Sequence, residues 1–544
     1  MTLLSPPLSL QALIDSCNNK QLVQQLLPMI TQAAHPSLIA DTAFGQLRLD
    51  SRYVAKNDVF VLLKSQSQTL ENSQKSADYL LQAATQARFI LSELDPEALL
   101  NKSSLPLSAL SALSCPVLYV PHIRDFLGSL MQACLQYQQP ATLPTVVAVT
   151  GTNGKTTISQ LIAQLTQLAS MSSAVMGTAG NGKLGALIQA SHTTGDALAV
   201  QQFLYQMGVD GADILALEAS SHGLDQQRLQ GVPIKVAIYT NLSRDHLDYH
   251  ADMDEYVAAK AKLFDKTHFP SVTHAIINSD DDYASVMLET AQASGLIVWT
   301  YSLHADSDAT FVATSIHPSL EGVKIGLRCN FDKKTDNKSA NEMNIISPLL
   351  GRFNVANLLA AIAAAAALGI DIERLADLIP NLQGAGGRMQ RVASNDGCFI
   401  VDYAHTPDAL TQVLASLKTH CRGQLWAVFG CGGDRDVGKR PLMAQAGLAG
   451  AHHVVLTADN PRSEDPNIIL KDMQAGMSPE QYQRTHIEPM RQQAIEYAVS
   501  HASADDIVVI AGKGHETYQE INGVRHDFDD RLILEHALQQ AGRL

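Results

Sequence analysis

The sequence predicts an α/β protein whose central part is a doubly wound parallel sheet, and three observations carry that expectation. At 544 residues the chain is too long for one hydrophobic core and has room for about three or four domains. Short apolar runs alternate with segments of helical periodicity, the pattern of strands joined by crossover helices. One such run, Val146–Val149, feeds a glycine loop that opens directly into a helix.

Taken in order, the first 140 residues hold apolar runs at Val59–Leu63, Phe89–Leu91 and Val117–Val120, separated by helix-like stretches. Gln138–Pro144, with two prolines, reads as a linker. Beyond it, Ile158, Leu161, Ile162, Leu165 and Leu168 fall at helical spacing, and Ile214–Leu217, Val236–Tyr239 and Ala275–Ile277 read as strands. Between Thr310 and Asn344 the pattern turns polar and β-like, which predicts an excursion from the main sheet. Gln383-Gly-Ala-Gly-Gly387 looks like a hinge. After it come Phe399–Val401, Leu425–Phe429, His453–Leu456 and Ile507–Ile510, the strands of a separate Rossmann-like unit. The expected division is therefore 1–140, 141–383 and 384–544, with a P-loop-type sheet in the middle domain. No internal repeat or low-complexity tail is seen.

Composition excludes several classes. A formal charge of −15 argues against a broad electrostatic grip on nucleic acid or an anionic membrane. Any phosphate must then be held locally. Seven cysteines (Cys17, Cys115, Cys134, Cys329, Cys398, Cys421, Cys431) contain no CxxC pair, fitting neither a disulfide framework nor a zinc site. Met1–Leu10 lacks the layout of a signal peptide, and the longest apolar run, Leu358–Ile370, is too short to cross a bilayer. A cytoplasmic, monomeric enzyme is expected.

The loop Thr150-Gly-Thr-Asn-Gly-Lys-Thr-Thr157 sits between a strand and a helix start. Backbone amides there, with the positive end of the helix dipole, form an anion cradle. Lys155 would neutralise β/γ-phosphate charge, and Thr156 could offer its hydroxyl to Mg²⁺. The alternative is a tight turn with a solvated lysine, which the flanking strand and helix disfavour. Glu218, at a strand's C-terminal end, is well placed to hold a metal on a triphosphate. His222, His246 and His250 lie in loops of the same region. Further along, Met253, Tyr256, Val257, Leu263 and Phe264 share one helix face with Lys260, whereas Lys262 points the other way. A lysine in an apolar stripe must snorkel, shift its pKa or be chemically altered.

The loop at 150–157 has Val149 where the common phosphate loop has glycine, and this shortened form resembles that of the Mur ligases and folylpolyglutamate synthetases. Together with Tyr256-Val-Ala-Ala-Lys260, Gly351-Arg-Phe-Asn-Val-Ala-Asn357 and Gly512-Lys-Gly-His-Glu516, it makes nearly the whole chain similar to the Mur ligases. The resemblance implies ATP-dependent amide ligation, with Gly151, Thr152, Asn153, Gly154, Lys155, Thr156, Thr157, Asn354, Asn357, Arg388 and Asp402 on the nucleotide. It implies that Lys260 is carbamylated (N6-carboxylysine) and joins Thr156, Glu218 and His246 around Mg²⁺, with Lys155, Glu218, His246 and Lys260 catalytic.

Within that family, Leu49-Asp-Ser-Arg52 resembles a uridine-binding segment of members that add diaminopimelate or lysine. That points to UDP-N-acetylmuramoyl-L-alanyl-D-glutamate as acceptor, contacted by Leu49, Ser51, Gln66, Ser67, Gln68, His192, Thr193, Thr194, Ser220, Gln226 and Arg228. His192 replaces the family's frequent asparagine, and the 66–68 loop lacks the usual glycine. The resemblance assigns Arg435, Asp459, Asn460, Pro461, Arg462, Gly512 and Glu516 to meso-diaminopimelate. In Asp459-Asn-Pro-Arg462 the guanidinium suits a distal carboxylate through two parallel hydrogen bonds. The rivals are a lysine-adding ligase, a folylpolyglutamate synthetase, and a nucleotide-dependent scaffold with a degenerate site.

Overall fold

The computed structural model describes residues 7–17, 19–31, 36–65, 69–103, 106, 108, 113–189, 193–319, 321–330 and 342–544. Among the described residues three large sheets follow one another along the chain, and a two-stranded one, Tyr518–Ile521 with Val524–Asp527, lies near the C-terminus. The first has four parallel strands in sequence order, Leu47–Arg48, Val59–Leu62, Phe89–Ser92 and Val117–Tyr119. Its strands Val59–Leu62 and Phe89–Ser92 are buried along their whole length, as a parallel sheet covered on both faces requires.

The second sheet has ten strands. Its parallel part runs in space Phe311–Ser319, Ile297–Ser302, His274–Asn278, Ile234–Tyr239, Thr145–Thr150, Ile214–Glu218, Ser173–Gly177. The strand before the glycine loop is thus inside the sheet, with neighbours on either side, and the loop emerges at the carboxyl edge where α/β proteins place ligands. Val146–Val149 are each 0% exposed. The expected excursion is corrected: Gly322–Cys329 and Glu342–Ser347 extend the same sheet as antiparallel strands. They supply polar outer residues because the sheet's edge faces solvent on one side. A hairpin partner, Gly180–Lys183, closes the other edge and carries too little apolar pattern to be read in advance.

The helix Lys155–Leu168 leaves the glycine loop and packs against Arg352–Ala367, whose alanine run allows close approach. Ile158, Leu161, Ile162 and Leu165 are fully buried, while Leu168 is exposed. No helix among the described residues is long and apolar enough to cross a membrane.

The third sheet has six strands, ordered Gln390–Val392, Cys398–Asp402, Ile507–Ala511, Leu425–Phe429, His453–Leu456, Thr485–Ile487. All neighbours are parallel except the first pair. Its loops reach the central sheet's domain through His405 and Lys439 at Asp245, Arg435 at Asp248 and His515 at Thr178.

Candidate active site

Gly154 caps the phosphate-loop helix with φ +90°, a conformation only glycine adopts without strain, and a Cβ there would lie 2.5 Å from Asn357 Oδ1. The next residue, Lys155, is half-buried, and its Nζ donates to the carbonyls of Gly151 (2.9 Å) and Thr152 (2.8 Å). Lys260 Nζ donates to the same Gly151 carbonyl at 2.9 Å. Lys260 is 1% exposed and lies 4.5 Å over the Tyr256 ring. It does not snorkel. Burial, reinforced by the charge of Lys155, pushes its ammonium well below the usual lysine range, toward the neutral amine. The helix bearing it ends at Ala261, and Lys262 begins a 3-10 turn and pairs with Asp225 at 2.8 Å.

Glu218 is 2% exposed, and both its oxygens are held by Thr178: the amide donates to Oε1 at 2.9 Å and the hydroxyl to Oε2 at 3.0 Å. Gly177 makes room, since a Cβ there would come 2.1 Å from Glu218 Oε1. A buried carboxylate satisfied by neutral donors alone is suited to meeting a cation. His246 and Lys260 line one cavity together with Lys155, and among the described residues no group of three or more His, Cys, Asp or Glu is placed to hold a metal ion. Glu218 and the His246 ring are donors that a divalent cation accepts, whereas Lys260, bonded through Nζ to the Gly151 carbonyl, offers it no oxygen.

Asp245 is a participant that sequence reasoning passed over. Its carboxylate lies 3.7 Å from His246 Nε2, 3.5 Å from Lys439 Nζ and 3.9 Å from His405 Nε2. Burial works to raise its pKa, but those three neighbours outweigh burial and hold the group well below the carboxylate range. It seats the third sheet's loops against the glycine-loop domain, as do Arg244 with Asp436 (3.2 Å) and Arg435 with Asp248 (4.0 Å). His515 Nε2 and the Thr178 carbonyl, 3.2 Å apart, make a further bridge.

A cavity of about 460 Å³ gathers Lys155, Thr193, Thr194, Ser220, Arg228, His246 and Lys260 from the central domain with Arg435, Arg462 and Glu516 from the C-terminal one. Arg228 donates to the Thr194 carbonyl and to Gln226 Oε1, so those three form one brace. Arg462 takes φ +52°, and its NH1 donates to the Gly433 carbonyl at 2.7 Å. Asp459 and Asn460 are buried behind the cavity wall, and Gly512 approaches so closely that a Cβ would lie 2.7 Å from Asp459 Oδ2.

A second cavity, about 590 Å³, adjoins Asn153, Gly154 and Asn357. Its other walls, Asn278, Asp281, Tyr301 and Phe353, with Gln412–Thr419 from a C-terminal helix, were missed in the sequence. Asn278 stands at a strand's carboxyl end before three aspartates, the one signal that could have found it. Asn354 is the third residue of its helix, whose N-cap is Gly351. Its Oδ1 accepts from Asn357 at 2.9 Å. Arg388 reaches Thr156 Oγ1 at 3.4 Å and stacks on Tyr403 at 4.2 Å. Asp402 accepts from the Met389 and Ala404 amides at 2.7 Å each, which ties it to the hinge. Leu49 is half-buried, and Ser51 is buried with its hydroxyl donating to Gln82. Gln66, Ser67, Gln68 and His192 lie outside the described residues.

Two family models match the chain: the Mur ligase middle domain over residues 149–365, and the Mur ligase glutamate ligase domain over 387–514. UDP-N-acetylmuramoyl-L-alanyl-D-glutamate–2,6-diaminopimelate ligase from Pseudomonas aeruginosa is 40% identical over 513 residues, covering 94% of this chain and 98% of that protein. The ligase of the same name from Vibrio vulnificus is 40% identical over 501 residues, 92% of this chain and 95% of that one. A solved structure of a ligase with that name superposes with a TM-score of 0.65 at 42% identity, over 93% of this chain and 97% of the other.

Proposed function

The chain belongs to the Mur ligase family, and from that premise we propose that it is an ATP-dependent ligase adding meso-diaminopimelate to the D-Glu γ-carboxylate of UDP-N-acetylmuramoyl-L-alanyl-D-glutamate, a step in peptidoglycan precursor synthesis. The observation that carries the choice of amino acid is one cavity presenting Arg462 and Glu516 opposite Lys155 and Lys260. A guanidinium and a carboxylate lining one cavity match the carboxylate and ammonium at the distal end of that substrate.

ATP's γ-phosphate passes to the γ-carboxylate, giving an acyl phosphate; the amine attacks its carbonyl, and the tetrahedral intermediate collapses to the amide with loss of phosphate. Lys155 stabilises charge on the transferring phosphoryl group. The 590 Å³ cavity beside the glycine loop suits the nucleoside. Thr193, Thr194, Ser220 and the Gln226–Arg228 brace orient the sugar-peptide, and the Leu49–Ser51 segment takes the uridine. Thr156, Glu218, His246 and carbamylated Lys260 would hold Mg²⁺, which supplies charge neutralisation on the phosphates. A near-neutral Lys260 amine is the form that combines with carbon dioxide, which supports its modification. A domain division at 1–140, 141–383 and 384–544 is supported by the strand-free stretches 120–144 and 348–389 between the large sheets. All three proposed ligand sites are drawn from one chain, which supports a monomer, and seven cysteines without a CxxC pair suit the cytoplasm.

The deciding experiment is an amino-acid panel with ATP and the UDP-muramoyl-dipeptide, following ADP. Diaminopimelate should be used in strong preference to lysine, alanine and glutamate. Equal use of lysine would overturn the amino-acid assignment. Turnover with a folate and glutamate in place of the UDP-sugar would overturn the acceptor.

A further inference from the structure

Behind the cavity wall, Lys513 has a side chain that is 0% exposed. Its Nζ donates to Asn460 Oδ1 at 3.0 Å and to Glu516 Oε2 at 3.0 Å, and lies 3.8 Å from Asp459 Oδ1. Asn460 Nδ2 donates to the same Glu516 Oε2 at 2.9 Å. Two donors thus converge on one oxygen, and Oε1 is the oxygen left for a ligand in the cavity that Glu516 lines. Asn460 is itself pinned, because its Oδ1 also accepts the Glu520 amide at 2.9 Å.

The charges explain why such a device is needed. Asp459 and Glu516 bring two negative charges into a region from which water is largely excluded, and Lys513 brings one positive charge. The nearby Arg491 is already matched to Asp530 at 2.7 Å, with both side chains fully buried. Within this inner cluster one negative charge is left over; Arg462, which lines the same cavity, offsets it until the substrate's carboxylate takes that guanidinium, and the substrate ammonium then neutralises it.

On the reading of this cavity as the amino-acid pocket, we propose that Lys513 is its positioning residue: without touching substrate, it locks Asn460 and Glu516 so that one carboxylate oxygen meets the substrate's distal ammonium. Replacing it by an apolar side chain leaves Asp459 and Glu516 without the cation they share. Glu516, which burial and the Asp459 charge already push toward its protonated form while Arg491 and Arg462 keep Asp459 ionised, then takes a proton, and the acceptor for the ammonium is lost.

The test uses the full-length wild type, K513M, E516Q and the double variant K513M/E516Q, with ADP release followed while each substrate is varied in turn. K513M should raise the diaminopimelate KM by at least about tenfold, with the KM for ATP and for the UDP-dipeptide changed by no more than about twofold. The double variant should be no worse than E516Q alone, because Lys513 acts through Glu516. An unchanged amino-acid KM in K513M beside an impaired E516Q overturns the role of Lys513. So does a uniform rise in all three KM values, or effects that simply multiply in the double variant. An unimpaired E516Q instead overturns the pocket assignment. If K513M alone yields no folded protein, the double variant still decides, since both charges of the pair leave together: an amino-acid KM equal to that of E516Q supports the proposal, and a much higher one overturns it.

Discussion

At the phosphate loop, eight consecutive residues, 150–157, supply the strand end, the glycines, the lysine and the first hydroxyls of the helix. On the facing wall the parts come from loops far apart in the chain: Asn460 meets Glu516 across 56 positions, and His515 reaches Thr178 across 337. The first site is built from backbone geometry, which a short segment specifies. The second is built from buried charges that must be matched by partners brought in through tertiary folding. Damage to the first should therefore fall on turnover with all substrates alike, and damage to the second on one substrate.

The sharpest way to break that contrast is at the loop. Lys155→Ala should lower turnover by at least about a hundredfold, since a charge-stabilising contact in phosphoryl transfer is lost. The melting temperature should change little, because the ammonium bonds only to its own loop. Near wild-type turnover would remove Lys155 from the chemistry. Lys260→Ala should lose activity to a similar degree, with partial recovery on adding a short carboxylate. Carbon-13 labelling with bicarbonate should show a carbamate on the wild type, and a fully active enzyme without that signal would end the modification idea.

On the facing wall, Arg462→Ala should cut kcat/KM for diaminopimelate by about ten- to a hundredfold, the worth of one or two charge-assisted hydrogen bonds, without creating good lysine activity. Competition between the two amino acids is the measurement, and an equal loss with every substrate varied would blur the distinction between the two walls.

A smaller effect should appear with pH. Burial pushes His222 and His515 down to about 4, so both are neutral in the folded protein at pH 7. In the unfolded chain they titrate near about 6.5. Between these values the unfolded state binds more protons, so stability falls as pH drops from about 6.5 toward 4. Melting scans across that range should show the decline, with a shallower slope in His515→Phe; an unchanged slope would show that His515 does not contribute.

The smallest effect is expected at Lys262. Its pair with Asp225 is about one-third exposed on each side, and such pairs are worth at most about 1 kcal/mol. Lys262→Ala should keep its activity, in contrast to its neighbour two residues earlier.

The sequence by itself determined the α/β class, the strand–glycine loop–helix unit and the core faces of its helices, because period and glycine placement act over a few residues. Val146–Val149 and the stripe from Ile158 to Leu165 are buried as their spacing required. It also singled out Lys260, since an ionisable group in an apolar stripe is anomalous wherever the helix packs. Only the tertiary structure decided that the polar stretch after Thr310 continues the main sheet, because strand pairing depends on which edge is open. Only it showed Asp402 turned toward the hinge amides, Asp245 joined to Lys439 and His405, and Asn278 beside the glycine loop. A carboxylate or amide in a loop has many possible partners. Which one it takes is settled by long-range packing, where burial makes an unmatched charge expensive and leaves one arrangement standing.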